Sequence, residues 1–178
     1  SRGPGFDAIH SQALAGFPEL VRDLESNPNE LLAEYGIVSA EAGGRGPALE
    51  YRAFVQLLAH CAERPGVPDF GIRLAQRQRG GKVIGPVGVV MKNSQTVGQA
   101  LGYCARHIHA YSLATRVRFR PDRSQHILFV GPEILLDRPA DTRQVVEHAV
   151  MLAHLNVTDI SGGAARARRV HFRHGPQA

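Results

Sequence analysis

Residues 94 to 130 read SQTVGQALGYCARHIHAYSLATRVRFRPDRSQHILFV, and the period of their apolar residues changes midway. Val97, Ala100, Leu101, Cys104, Ala105, Ile108 and Tyr111 fall at helical spacing, with Gln99, Arg106 and His109 opposite them. Thr96 and Gln99 stand at capping-box spacing where that helix begins. From Thr115 to Arg120 the pattern alternates, Val117 and Phe119 to one side, Arg116, Arg118 and Arg120 to the other. Pro121-Asp122-Arg123-Ser124 carries turn residues, and His126 to Val130 returns as a second strand. A long helix that feeds a hairpin places the chain in the α+β class.

The flanks extend the same architecture. Tyr51 to Glu63 puts Phe54, Leu57, Leu58 and Cys61 on one helical stripe, and Pro65-Gly66 stops it. Asp69 is placed to cap a helix from Phe70 to Gln78, with Phe70 and Leu74 inward, before Gly80-Gly81 breaks the chain. Pro86 to Met91 reads as a short apolar helix after Gly85. Toward the N-terminus, Pro18 suits the first position of a helix whose apolar face is Leu20, Val21 and Leu24. Asn29 starts a second helix that runs through Tyr35 to Gly36, and 39–47 is a loop.

Toward the C-terminus, Pro139 opens a long helix with Val146, Ala149, Val150 and Ala153 inside, ended by Ser161-Gly162-Gly163. Arg169 to His174 alternates again and predicts a third strand, Val170 and Phe172 inward. The expectation is one domain over 6–178, its helices packed on a small, mostly antiparallel sheet. Residues 1–5, Ser-Arg-Gly-Pro-Gly, read as a cloning remnant.

Composition narrows the function. Of 178 residues, 43% are hydrophobic and 21% charged, ordinary for a globular domain that builds a core. There is no Trp, so Leu, Val, Ile and Ala must carry that core. The formal charge of +5 permits an anionic partner, but the arginines are scattered and form no basic arm. Cys61 and Cys104 fall on apolar helical stripes and read as free, buried thiols of a cytoplasmic protein. The longest apolar stretch, Val83 to Met91, is broken by Gly and Pro and is too short to span a bilayer, so no membrane partner is expected.

Enzyme signatures fail on particular residues. Gly80-Gly81-Lys82-Val83 has Val where a phosphate loop needs Ser or Thr to hold magnesium. Asp159-Ile160-Ser161-Gly162-Gly163 lacks the first Gly of a nucleophile elbow. His107 and His109, two apart, and His148 and His154, six apart, are badly spaced for a shared helical metal site. No catalytic residue, metal site or cofactor is therefore assigned.

The ordered set Phe70-Gly71-Ile72-Arg73-Leu74-Ala75, Gly85-Pro86-Val87-Gly88-Val89-Val90-Met91 and Ser94-Gln95-Thr96-Val97-Gly98-Gln99-Ala100-Leu101 carries a family resemblance. It continues through Arg106-His107-Ile108-His109-Ala110-Tyr111-Ser112 and closes on Val170-His171-Phe172-Arg173-His174-Gly175-Pro176. In that order it resembles the N-terminal arabinose-binding-type domain of AraC/XylS-family transcriptional regulators. The resemblance covers 51–176, and more loosely the chain from Phe17.

It implies a domain that senses a small-molecule effector, self-associates as a homodimer, and reaches promoter DNA through a C-terminal helix-turn-helix domain absent from this sequence. Under that reading the candidate pocket residues are Phe54, Leu58, Met91, Leu101, Tyr111, Phe119 and Phe129. The candidate dimer surface is the outer face of the last long helix, Arg143, Glu147, Met151 and His154. Arabinose itself is not carried over, because the domain of the arabinose regulator is all-β and this chain is helix-rich. A small-molecule or tetrapyrrole-binding sensor outside transcription is the alternative, and a Soret band in purified protein would mark it. A stand-alone protein-interaction module is a third reading.

Overall fold

A computed structural model describes residues 5–38, 46–64, 66–80, 82–124, 127–137 and 141–175. Residues 1–4, most of the expected 39–47 loop, Pro65, Gly81, His126, Pro139 and Pro176 lie outside them, as do the expectations placed there. The described chain is α+β. In order it runs β1 (Ala8–Ile9), a 3-10 turn (Ser11–Leu14), α1 (Phe17–Asp23), α2 (Pro28–Glu34), β2 (Leu49–Glu50) and α3 (Tyr51–Glu63). There follow α4 (Phe70–Gln78), α5 (Pro86–Lys92), α6 (Val97–His107), a 3-10 turn (Ile108–Ala110), β3 (Thr115–Asp122), β4 (Ile127–Ile134) and α7 (Arg143–Ile160).

Local chemistry accounts for most boundaries. The Thr96 hydroxyl accepts from the Gln99 amide at 3.1 Å and starts α6. In α2 the cap is Asn27 rather than Asn29. Its side chain accepts from the Asn29 N–H at 3.0 Å, while Pro28 takes the first helical position, where no amide is needed. Asp69 stands at the start of α4, but its carboxylate pairs with Arg73 one turn on, at 2.8 Å. Gly85, at φ 58° and ψ −133°, turns the chain into α5 through a conformation that side chains disfavour.

The hairpin alternates as its sequence does. Thr115 pairs with Ile134, Val117 with Pro132, Phe119 with Val130 and Arg120 with Phe129. Both strands are longer than the sequence suggested, since Pro121 and Asp122 belong to β3 rather than to the turn. The only other sheet among the described residues is the pairing of β1 with β2. The expected third strand does not form. Val170 and Phe172 are solvent-exposed, and no described strand offers its edge to 169–174. In that segment His174 comes close to α7, its Nε2 3.5 Å from the Glu147 carboxylate.

The helix α7 is where the structure departs furthest from the sequence reading. It touches α3, α4, α5, α6 and β4, so it runs through the molecule rather than along its outside. Its most buried residues are Gln144, Val145, Glu147, His148, Leu152 and Asn156, while Val146, Ala149, Val150 and Ala153 are half-buried. Glu147 and Asn156 bond within the helix, to Arg143 and the Leu152 carbonyl, while Gln144 and His148 are satisfied by partners far away in sequence. Gln144 accepts from the Gly71 N–H and donates to the Pro68 carbonyl, each at 2.8 Å. His148 bonds Gln78 at 2.7 Å.

Two of the four residues expected on the dimer face, Glu147 and Met151, are engaged within the chain. The Glu147 carboxylate is buried and held by Arg143 at 3.0 Å, and Met151 packs on Ala75, Val83 and Leu152. His154 is half-buried.

Both cysteines are free and buried. Burial pushes the Cys61 thiol up to about 12 and the Cys104 thiol up to about 11, so neither is a thiolate near neutral pH. The native chain should react with neither at pH 8 on a minutes scale, and with both once unfolded in denaturant without reductant. Rapid native labelling, or fewer than two thiols after unfolding, contradicts this packing.

Candidate functional site

A cavity lies where the helices meet the hairpin. The cavity is small, about 80 Å³, below the ~300–1,000 Å³ of most small-molecule sites. The helix α3 supplies Tyr51 and Phe54, α5 supplies Met91, and α6 supplies Leu101 and Cys104. Tyr111 follows the 3-10 turn, Val117 and Val130 come from the hairpin, and α7 runs along one wall with His148, Ala149, Ala153 and Asn156. Ala149 and Ala153, one turn apart, keep that wall low where larger residues would fill the space.

Among the described residues, no Asp, Glu, Lys or Arg lines the cavity. The hairpin's register explains this on one side. The positions paired across it share a face, so Arg116, Arg118 and Arg120 all point to solvent while Val117 and Phe119 point to the helices. Arg118 is spent on Glu133 at 2.8 Å, and Arg120 lies 4.6 Å over the Phe129 ring.

The few polar groups in the walls are mutually ordered. The Gln78 Nε2 donates to the carbonyls of Ala13 and Ala15, at 2.8 and 2.9 Å. That orientation leaves its Oε1 as the acceptor facing His148 Nε2 at 2.7 Å. The His148 proton therefore sits on Nε2, and Nδ1 carries a lone pair. Burial holds this imidazole neutral, its pKa lowered to about 4. Its ring meets Phe54 edge-on, centroids 5.9 Å apart.

The Thr115 hydroxyl donates to Tyr51 at 3.3 Å, and burial pushes the Tyr51 phenol up to about 12. The Tyr111 phenol is also held well above its ordinary value by burial, and it has no hydrogen-bond partner among the described residues. Its ring packs against all three apolar clusters of the core.

Of the pocket residues expected from the sequence, Phe54, Met91, Leu101 and Tyr111 are brought together in these walls. Leu58 is fully buried in the main core, one turn from Phe54, and does not reach the cavity. Phe119 packs on the α6 side of the core without lining it. Phe129 is on the opposite face of the hairpin, 40% exposed beneath Arg120. Sequence reasoning missed Tyr51, Thr115, His148 and Asn156. The available signal was the run of polar residues at spacing four and eight on α7, Gln144, His148 and Asn156.

Among known proteins, the family model described as the arabinose-binding domain of AraC transcription regulators, N-terminal, matches residues 26–178. Two curated relatives are each called "HTH-type transcriptional regulator VirS", from Mycobacterium tuberculosis strains CDC 1551 / Oshkosh and ATCC 25618 / H37Rv. Each is 27% identical over 166 residues, 93% of this chain and 48% of the relative. The chain thus spans about half the length of the curated relatives it matches. With the match covering most of the sequence, the chain belongs to the family of N-terminal arabinose-binding domains of AraC transcription regulators.

Proposed function

We propose that this chain is a non-catalytic, effector-sensing domain of a cytoplasmic transcriptional regulator, and that the cavity between helices and hairpin is its effector site. The observation that carries the reading is the make-up of that cavity's walls. α3, α5, α6, α7 and both strands of the hairpin all contribute to it, so an occupant touches every layer at once. A ligand that prefers one arrangement of these elements shifts the population toward it. The helix α7 is the element best placed to pass the change on, since it forms one wall and its Glu147 lies beside His174 of the C-terminal segment. Promoter DNA is then reached through a helix-turn-helix domain of the kind the relatives' name describes, and two copies pair to read two half-sites.

Thermal unfolding in the presence of a metabolite library tests the site. At least one compound is expected to raise the melting temperature of the parent by several degrees, as ligand linkage requires. The variant Ala153→Phe, which fills the cavity from α7, should unfold at a temperature no compound shifts. If the same compounds protect the filled variant equally, the effector site lies elsewhere. Pairing is tested separately by sedimentation equilibrium: a dimer is expected at high micromolar concentration, and a monomer there ends that part of the reading.

A further inference from the structure

The proposed effector site also restricts what can occupy it. Resting on the reading of this cavity as the effector site, we infer that its ligand is an uncharged, mainly apolar molecule carrying one hydroxyl or similar donor–acceptor group. The group would donate to the His148 Nδ1 lone pair and accept from the Tyr111 phenol.

An anion in this cavity would lose its hydration with no Arg, Lys or protonated His to replace it, and a cation would meet no carboxylate. The Gln78 amide reinforces the first point. By fixing the His148 proton on Nε2, away from Nδ1, it presents an anion with a lone pair rather than an N–H. A free sugar fails for a different reason: its several hydroxyls each need a partner, and most of these walls are Ile, Leu, Val, Met, Phe and Ala carbon.

The walls are nevertheless not inert. His148 and Tyr111 both line the cavity, and no hydrogen bond of the described residues uses His148 Nδ1 or the Tyr111 hydroxyl. One is an acceptor and the other a donor. A single hydroxyl on an apolar frame satisfies both, since it too can donate and accept.

Three probes of one shape separate the alternatives: 2-naphthol, naphthalene and 2-naphthoate, titrated calorimetrically at pH 7 into the parent, Tyr111→Phe and Ala153→Phe. The parent should bind 2-naphthol about tenfold tighter than naphthalene, the worth of a buried neutral hydrogen bond. It should bind 2-naphthoate at least about a hundredfold more weakly than 2-naphthol, because that carboxylate must be desolvated unpaired. Tyr111→Phe should erase most of the preference for 2-naphthol and leave naphthalene binding unchanged.

Equal affinity for 2-naphthol and naphthalene, tight binding of 2-naphthoate, or no binding of any probe overturns the inferred ligand class. Loss of every probe in Ala153→Phe keeps the cavity as the binding site whichever way the class falls. Probe binding that survives this filling overturns the cavity reading itself.

Discussion

Gly71→Ala is expected to destabilise the chain by about 3 kcal/mol or more, the size of a forced overpacking of core backbone. Gly71 lies in the first turn of α4, where α7 crosses it. A Cβ there would stand 2.1 Å from the Gln144 carbonyl oxygen and 2.9 Å from its carbonyl carbon. Both are backbone atoms, so no side chain can swing aside. The two helices would have to separate, and the separation breaks the joint that Gln144 makes with the Gly71 N–H and the Pro68 carbonyl. Two buried polar groups would then be left unpaired, each at a cost of about 1–3 kcal/mol.

Urea unfolding of the parent and the variant measures the difference directly. Gly98→Ala is the matched control. It is also helical, but an added Cβ there meets nothing closer than the Thr96 hydroxyl at 4.0 Å. It should stabilise by up to about 1 kcal/mol through helix propensity alone. If both substitutions behave alike, α4 and α7 do not cross at Gly71.

The same crossing shows where the sequence was legible and where it was not. α3 and α6 announce themselves because their apolar stripes and, for α6, the Thr96 cap are local features. β3 is equally plain, since arginine alternates with Val and Phe. β4 is different: Ile127-Leu128-Phe129-Val130 is apolar at every position, so nothing in the run itself says which residues face the helices. That face is set by pairing with β3, which puts Phe129 opposite Arg120 and so outside.

α7 fails for a deeper reason. Its interior stripe contains Gln144, Glu147, His148 and Asn156, which any ranking by hydrophobicity sends to the surface. Glu147 and Asn156 are bonded within the helix, to Arg143 and the Leu152 carbonyl, but Gln144 and His148 are inside because Gly71, Pro68 and Gln78, about seventy residues away, complete their bonds. The pocket was half legible for the same reason. Its apolar wall follows from the stripes of α3 and α6, and its polar groups from contacts no local pattern encodes.

Between pH 7.5 and pH 4 the chain is expected to lose about 3 kcal/mol of stability through His148 alone, the linkage value of a pKa lowered from 6.5 to about 4. The sign follows from which state takes the proton. Above pH 6.5 His148 is neutral folded and unfolded, and contributes no pH dependence. Below that, the unfolded chain gains a proton that the folded chain refuses, because burial disfavours the imidazolium. Stability then falls by about 1.4 kcal/mol per pH unit, levelling off as the pH passes below the folded-state pKa and both states become protonated.

Other groups titrate over this range, so the contribution is read as a difference from His148→Gln, which keeps an amide donor for Gln78 and has nothing to titrate. Urea unfolding at steps from pH 7.5 to 4.5 should show the parent curve dropping away from the variant's as acid is added. Parallel curves would mean that the buried imidazole is not what resists protonation. Ligand affinity follows a different course. The folded protein keeps the Nδ1 lone pair down to its own pKa, so the affinity for 2-naphthol should stay flat from pH 7.5 to 5 while stability is already falling. A site that weakened in step with the unfolded-state titration would not be built on a buried neutral His148.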